Sequence, residues 1–78
     1  MQAPLLTYAI TQRDEAIQHV VAFCLHKGFP PGTTISVGSG GTSQTPVRLM
    51  LNDGRELARW WEDGNGLHVH VAQFVLDA

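Results

Sequence analysis

Two histidines near the end of the chain, His68 and His70, are separated by one residue. On a β-strand this spacing places both imidazoles on the same side, as in some zinc sites. Zinc needs at least one more protein ligand, and His19, Cys24 and His26 belong to a predicted helix that we expect on the other side of the sheet. The sequence therefore predicts no metal and no other cofactor, and a metal-dependent enzyme is the weakest of three functional hypotheses.

A thiol nucleophile is the next candidate, because Cys24 and His26 lie two residues apart. Residues two apart on a helix point about 200° away from each other, so these side chains do not meet. Cys24 also falls in an apolar stripe, where cysteine is ordinarily inert packing. The carboxylates Glu56, Glu62 and Asp63 surround predicted turns, which is the usual place for solvated acids. We therefore predict no catalytic residue and a protein that is not an enzyme.

The segment 38–45, GSGGTSQT, contains three glycines and four hydroxyl side chains. Loops of this composition can cradle a phosphate through successive backbone N–H groups. This segment lacks the lysine and the following helix of a P-loop, since Pro46 and a predicted strand come next. We predict a flexible Gly/Ser/Thr loop, and whether it binds an anion stays open.

Arginine and tryptophan are concentrated between residues 46 and 75, which hold both tryptophans and three of the five Lys/Arg residues. These residue types are enriched at binding hot spots because they combine contact area with stacking and directional hydrogen bonds. They also suit single-stranded nucleic acid, whose bases stack on aromatic rings beside cations. Arg48, Arg55, Arg59 and Trp61 therefore form the strongest candidate for a functional surface.

Two turn signals divide this region into a three-stranded meander. Asp53-Gly54 and Gly64-Asn65 are typical of two-residue hairpin loops. Together they predict the cross-strand pairs Leu51–Glu56, Leu49–Ala58, Val47–Trp60, Trp60–Val69 and Ala58–Val71. These pairs place one continuous apolar set on the face that a helix would cover: Val47, Leu49, Leu51, Ala58, Trp60, Leu67, Val69 and Val71. A slip of one residue would mix the two faces, so the pattern itself supports the register.

The opposite face of the meander carries the predicted partner-binding residues: Arg48, Met50, Arg55, Leu57, Arg59, Trp61, His68 and His70. Two arginines directly opposite each other destabilise a sheet slightly, and Trp61 and Met50 are costly to leave in water. We therefore expect compensation from an acid elsewhere in the chain, from the N-terminal segment or from a partner. The neighbouring tryptophans have opposite predicted roles, since Trp60 should stabilise the core and Trp61 should bind.

A helix ending near Lys27 is the most strongly predicted element outside the meander. Thr11 is its predicted N-cap, and Asp14 and Glu15 favour the positive end of the helix dipole. Gly28 suits the left-handed residue that commonly follows a helix. The predicted apolar stripe consists of Ala16, Ile17, Val20, Val21, Phe23, Cys24 and Leu25.

The length and composition indicate a single small globular domain spanning residues 1–78. The chain has 78 residues, of which 44% are apolar and 15% charged. With further strands predicted at 5–10 and 33–37, the fold class is α+β. One amphipathic helix packs on a four- or five-stranded antiparallel sheet, in the order β-α-β-β-β-β with the meander last. The order of the strands within the sheet stays open.

Charge and cysteine content narrow the functional classes. A formal net charge of −2 gives no reason to expect binding that is dominated by phosphate neutralisation. The single cysteine excludes an internal disulfide, which argues against an oxidising compartment. No apolar run approaches the ~18–20 residues of a membrane span, and the N-terminus lacks the basic region of a signal peptide. We expect a cytoplasmic protein that does not bind membranes.

The leading functional hypothesis is a non-enzymatic module that docks onto another protein through the Arg/Trp face. Small proteins of this kind often serve as inhibitors, adaptors or immunity-type factors, including those encoded by phages and mobile elements. Self-association through the same face, as a homodimer, is an alternative. The second hypothesis is a binder of single-stranded nucleic acid or a small anion that uses this face and the 38–45 loop.

Overall fold

The computed structural model describes residues 5–77, which form one antiparallel sheet of five strands with a helix packed on it. The elements in chain order are β1 (Leu5–Tyr8), a 3₁₀ turn (Ile10–Gln12), α1 (Arg13–His26), β2 (Ile35–Val37), β3 (Val47–Leu51), β4 (Glu56–Asp63), β5 (Gly66–Val71) and α2 (Gln73–Leu76). The predicted α+β class is confirmed. The first residues, on which the signal-peptide prediction partly depends, lie outside the described part.

The strands are arranged in the order β1-β5-β4-β3-β2, and every neighbouring pair is antiparallel. The segment containing α1 therefore connects the two opposite edges of the sheet. Strands β3 to β5 form the predicted meander, and β1 extends the sheet beside β5. No helix within the described residues is long and apolar enough to cross a membrane.

The N-cap of helix α1 is Gln12, one residue after the predicted cap, Thr11. Thr11 lies within the 3₁₀ turn, so its assignment as the N-cap is wrong, and Gln12 at that position makes no side-chain capping bond. The Gln12 N–H instead donates to the Ala9 carbonyl at 2.9 Å, because a 3₁₀ turn satisfies a backbone donor at the helix start. The predicted end is confirmed, since Gly28 follows the helix with φ +78°.

The buried line of α1 is narrower than the predicted stripe. Ala16, Val20 and Cys24 are almost fully buried, whereas Phe23 and Leu25 are 52% and 49% exposed. Residues four apart stay nearly in line along a helix, and the residues on either side of Cys24 are rotated about 100° away from that line. Placing Phe23 and Leu25 in the stripe was therefore wrong.

The registers of the meander follow the prediction except at one end. The pairs Val47–Trp60, Leu49–Ala58, Trp60–Val69 and Ala58–Val71 are all observed. The predicted pair of Leu51 with Glu56 is wrong, because the register shifts after Leu49 and Met50 pairs with Glu56 instead. Strand β4 thus holds one extra residue at this point, Leu57, which is the signature of a β-bulge.

Compared with the predicted alternation, the bulge exchanges the faces on which Glu56 and Leu57 lie. Leu57 and Ala58 both point into the core, where each has no exposed surface. Glu56 consequently lies on the other face, opposite Met50. Burying a leucine contributes about 1.5–3 kcal/mol, which offsets the local disruption of the strand ladder. The predicted place of Leu57 on the partner-binding face is wrong.

The core lies between α1 and the inner face of the sheet, which is the face that α1 covers. Its buried residues include Trp60 at 5% exposure, together with Leu49, Leu67 and Val69 from the meander. An ion pair between Arg13 and Glu62 also joins the start of α1 to β4. The short helix α2, which the sequence analysis did not predict, contributes the buried Val75.

Candidate interaction surface on the outer sheet face

The outer face is the side of the sheet opposite α1. Six of the eight predicted partner-binding residues lie on it together: Arg48, Met50, Arg59, Trp61, His68 and His70. The bulge adds Glu56, and β2 contributes Ser36 opposite Met50. Strand β1 extends this face in the plane of the sheet, since Thr7 pairs with His68. In residues 5–8, therefore, the N-terminal strand lies beside the face and does not fold over it.

Two arginines are cross-strand partners at the centre of the outer face. Arg48 pairs directly with Arg59, as predicted. Glu56 supplies the compensating acid, with Oε1 3.6 Å from Arg48 Nε and Oε2 3.7 Å from Arg59 Nε. We call these three residues the arginine cluster. Its acid comes from β4 itself, because the bulge turns Glu56 outward.

The arginine cluster carries one net positive charge, from two guanidinium groups and one carboxylate, in a chain whose net charge is −2. Both ion-pair distances exceed the roughly 2.7–2.9 Å of a charge-assisted hydrogen bond. The side chains of Arg48 and Arg59 are 55% and 40% exposed. The guanidinium groups are therefore accessible to an incoming carboxylate or phosphate, which could approach them more closely than Glu56 does.

Trp61 and His68 form a second group on this face. Their ring centroids are 5.5 Å apart and their planes are tilted by 32°. His68 Nε2 lies 2.8 Å from Asp63 Oδ1, and His68 Nδ1 lies 3.3 Å from the hydroxyl of Thr7. Both ring nitrogens are thus engaged, and the His68 side chain is only 13% exposed. His68 therefore positions Trp61 and joins β1 to the turn before β5.

The same contacts shift the titration of Asp63. The hydrogen bond with His68, followed by the one that the Asn65 N–H donates, lowers the pKa of Asp63 below its usual value. Metal binding by His68 would require breaking these contacts. Within residues 5–77, no three or more His, Cys, Asp or Glu side chains are grouped so as to hold a metal ion.

His70 lies between Arg59 on β4 and Leu5 on β1. Its Nδ1 atom is buried and has no hydrogen-bond partner in the described part of the chain. An unpaired buried polar atom costs about 1–3 kcal/mol, so His70 does not stabilise the outer face through this nitrogen.

Arg55 belongs to the turn between β3 and β4. Its backbone N–H donates to Asp53 Oδ1 at 3.0 Å, and its Nε donates to Asp53 Oδ2 at 2.9 Å. These contacts lower the pKa of Asp53, the backbone bond contributing most. The guanidinium carbon of Arg55 also lies 4.9 Å from the centre of the Phe74 ring. Arg55 thus connects the turn to α2 and is not part of the arginine cluster.

The segment 38–46 borders an open cleft beside β2. The Glu62 N–H donates to the Gly41 carbonyl at 2.9 Å, and the Gly41 N–H donates to the Thr45 carbonyl at 2.8 Å. Gly40 has φ +141°, and any side chain there would overlap the Thr45 carbonyl. The loop is therefore anchored to β4 and folded on itself. The loop cleft has a volume of about 370 Å³ and is lined by Ser36, Val37, Gly38, Ser39, Gln44, Thr45, Pro46, Arg48 and Met50.

The loop cleft is the feature of the candidate site that sequence reasoning missed. Arg48 and Met50 were assigned to the outer face, and the loop was predicted to be flexible, with anion binding left open. The alternating pattern of residues 33–37 predicted the strand beside the cleft, but not its place at the edge of the sheet. The shape of the cleft depends on the backbone path of the loop, which its composition does not specify.

The inner layer offers less chemistry. Cys24 is fully buried, and burial raises the pKa of its thiol, so the thiolate needed of a nucleophile is disfavoured. An apolar groove of about 250 Å³ lies between α1, β1 and α2, where Leu6, Phe23 and Leu76 are partly exposed.

Comparisons with known proteins bring no relative: no family model, no curated protein and no solved structure matches this chain. The function has to be inferred from the geometry of the outer face.

Proposed function

We propose that this protein is a non-enzymatic interaction module that docks onto another protein through its outer face. The observation that carries the proposal is the arginine cluster beside Trp61 and Met50, on the sheet face opposite α1. Arginine, tryptophan and methionine are enriched at protein interfaces, and charged groups there set orientation and partner choice.

The rigidity of this surface supports docking. Arg48, Arg59, Trp61 and Met50 all project from paired strands, so their backbone positions are set before a partner arrives. Trp61 is further held by its contact with His68. Preorganised side chains lose less conformational entropy on binding, which favours affinity.

The charge of the face favours a protein partner over nucleic acid. The arginine cluster has one net positive charge, and affinity for nucleic acid grows with the number of phosphates neutralised. His68 also occupies one side of the Trp61 ring, so less of that ring is available to stack on a base. Binding of single-stranded nucleic acid or a small anion is therefore the alternative result that the tests must distinguish.

The proposal is tested by affinity capture from the native cells with wild-type protein and the double variant Arg59→Ala/Trp61→Ala. A matched double variant on the helix layer, Phe23→Ala/Lys27→Ala, also removes one aromatic ring and one cation. Circular dichroism establishes that both variants are folded. We expect the outer-face variant to lose specific partners that wild type and the helix-layer variant retain.

The proposal would be contradicted if the outer-face variant kept every wild-type partner. It would also be contradicted if the captured material were nucleic acid that is released by nuclease or by moderate salt.

A further inference from the structure

We propose that the loop cleft binds an extended acidic segment of a partner protein, in which an apolar side chain enters the cleft and a carboxylate two residues away binds Arg48. This inference rests on the proposed function and specifies the chemistry of the partner. It combines three observations: a partly apolar cleft, a cation in its wall and, beside both, a strand edge that has no partner within residues 5–77.

The apolar part of the cleft on the outer face is formed by Pro46 and Met50. A volume of about 370 Å³ lies near the lower end of the roughly 300–1,000 Å³ typical of ligand pockets. This volume has ample room for an apolar side chain of a peptide, such as leucine or methionine.

The charge in the cleft comes from Arg48. Its only acidic neighbour in the described chain, Glu56, is shared with Arg59 and lies 3.6 Å away. A carboxylate from a partner can bind a guanidinium group through two parallel hydrogen bonds of roughly 2.7–2.9 Å, which are stronger than this long contact. The charge of the site therefore selects an acidic residue, and Glu56 competes with it.

The strand edge supplies the main-chain contacts. β2 is at the end of the sheet, and the Gly38 N–H donates to the Arg48 carbonyl on its paired side at 2.9 Å. Because antiparallel bonding alternates along a strand, the N–H and C=O of Ile35 and Val37 point away from β3. An extended peptide can add to this edge as a further strand.

The geometry of strand addition determines the spacing in the peptide. Side chains on one face of an added strand are two residues apart. One would lie beside Ser36 and Met50, and the next would lie beside Gly38. Gly38 has no side chain, so nothing on β2 separates that second position from Arg48. The predicted recognition pattern is an acidic and an apolar residue separated by one residue.

The experiment uses three fluorescein-labelled pentapeptides and fluorescence anisotropy. The peptides are Gly-Asp-Thr-Leu-Gly, its asparagine counterpart and its lysine counterpart. The full chain is tested as wild type, Arg48→Gln, Glu56→Gln and, as a control with the same charge change as the first, Lys27→Gln. We expect wild type to bind the aspartate peptide about tenfold more tightly than the asparagine peptide, and the lysine peptide least tightly.

The variants distinguish this site from general charge attraction. Arg48→Gln should remove the preference for aspartate over asparagine, whereas Lys27→Gln should preserve it. Glu56→Gln should tighten binding of the aspartate peptide by roughly threefold or more, because the competing carboxylate is gone. Equal binding of the aspartate and asparagine peptides by wild type, or weaker binding by Glu56→Gln, would overturn the proposal.

A second measurement needs no variant. In ¹H–¹⁵N spectra of the wild type, the aspartate peptide should shift the amides of residues 35–39 and 48–50. Shifts confined to α1, no response at millimolar peptide, or tighter binding of a ten-residue oligothymidylate would each overturn it. If the peptide fails while Arg59→Ala/Trp61→Ala still abolishes capture, this inference fails and the proposed function stands.

Discussion

At the scale of single residues, the most consequential feature is the bulge at Leu57. One extra residue in β4 turns a leucine into the core and a glutamate outward between two arginines. The same local change thus increases apolar burial and builds the arginine cluster. A perfectly alternating β4 would leave Arg48 and Arg59 opposed and without Glu56 between them.

The bulge predicts that Leu57 and Met50, which the sequence analysis placed together on the outer face, contribute unequally to stability. Leu57→Ala should lower the free energy of unfolding by about 2–5 kcal/mol, because it leaves a cavity in the core. Met50→Ala should cost clearly less, since Met50 keeps contact with solvent. Urea unfolding of the two variants measures the difference. Equal and small losses would place Leu57 on the surface and contradict the observed register.

The contact between Asp63 and His68 predicts that the protein loses stability as the pH becomes acidic. Its hydrogen bonds lower the pKa of Asp63 in the folded state, so the charged carboxylate is favoured by folding. This contribution is fully present above the unfolded value of about 3.9 and is lost as the pH falls through the lower, folded pKa. Asp63→Asn should therefore be less stable than wild type at neutral pH.

The difference between Asp63→Asn and wild type should shrink as the pH falls below about 4, and it should vanish below the lowered, folded pKa of Asp63, where both side chains are neutral. Urea unfolding at a series of pH values checks this. Asp53, whose pKa is also lowered, is unchanged in both proteins and serves as a common background. A difference that stays constant or widens in acid would contradict the assignment.

At the scale of elements, much of the fold could be predicted because local signals and burial agree. The helix end at Gly28 and four of the five cross-strand pairs follow from turn residues and alternating apolar positions. The fifth pair fails where Leu57 and Ala58 interrupt the alternation with two apolar residues in succession. That interruption was visible in the sequence, but choosing the bulge required knowing that the core has room for both side chains.

The hairpin between β4 and β5 predicts unequal roles for its two glycines. Gly66 has φ +125°, and an added Cβ would overlap the Tyr8 carbonyl of β1, whereas Gly64 has open space around it. Gly66→Ala should therefore destabilise the protein by about 1–3 kcal/mol and loosen the pairing of β1 with β5. Gly64→Ala, in the same turn, is the matched control.

Amide hydrogen exchange distinguishes the two glycine variants. Protection should fall selectively at Leu6 to Tyr8 in Gly66→Ala and stay at the wild-type level in Gly64→Ala. Equal protection of β1 in both variants would mean that Gly66 is required only for its own turn.

At the scale of the whole molecule, the proposed function assigns stability and recognition to opposite faces of the sheet. The inner face, with Trp60, Leu49 and Val69, forms the core under α1. The outer face carries the arginine cluster, Trp61 and the mouth of the loop cleft. Sequence alternation predicted the two faces, but it could not show that the 38–46 loop forms one side of a cleft on the outer face. That shape arises from backbone contacts between residues distant in the sequence.

The adjacent tryptophans provide the clearest test of this separation. A domain of this length is stabilised by only about 4–12 kcal/mol in total. Trp60→Ala removes a core ring that is 5% exposed and should cost about 3–5 kcal/mol, which lowers the melting temperature by at least about 12 °C. Trp61→Ala removes a half-buried ring from the outer face and should leave the fold intact with a smaller shift. Thermal unfolding by circular dichroism measures both, and similar losses from the two substitutions would show that the outer face is part of the stabilising core.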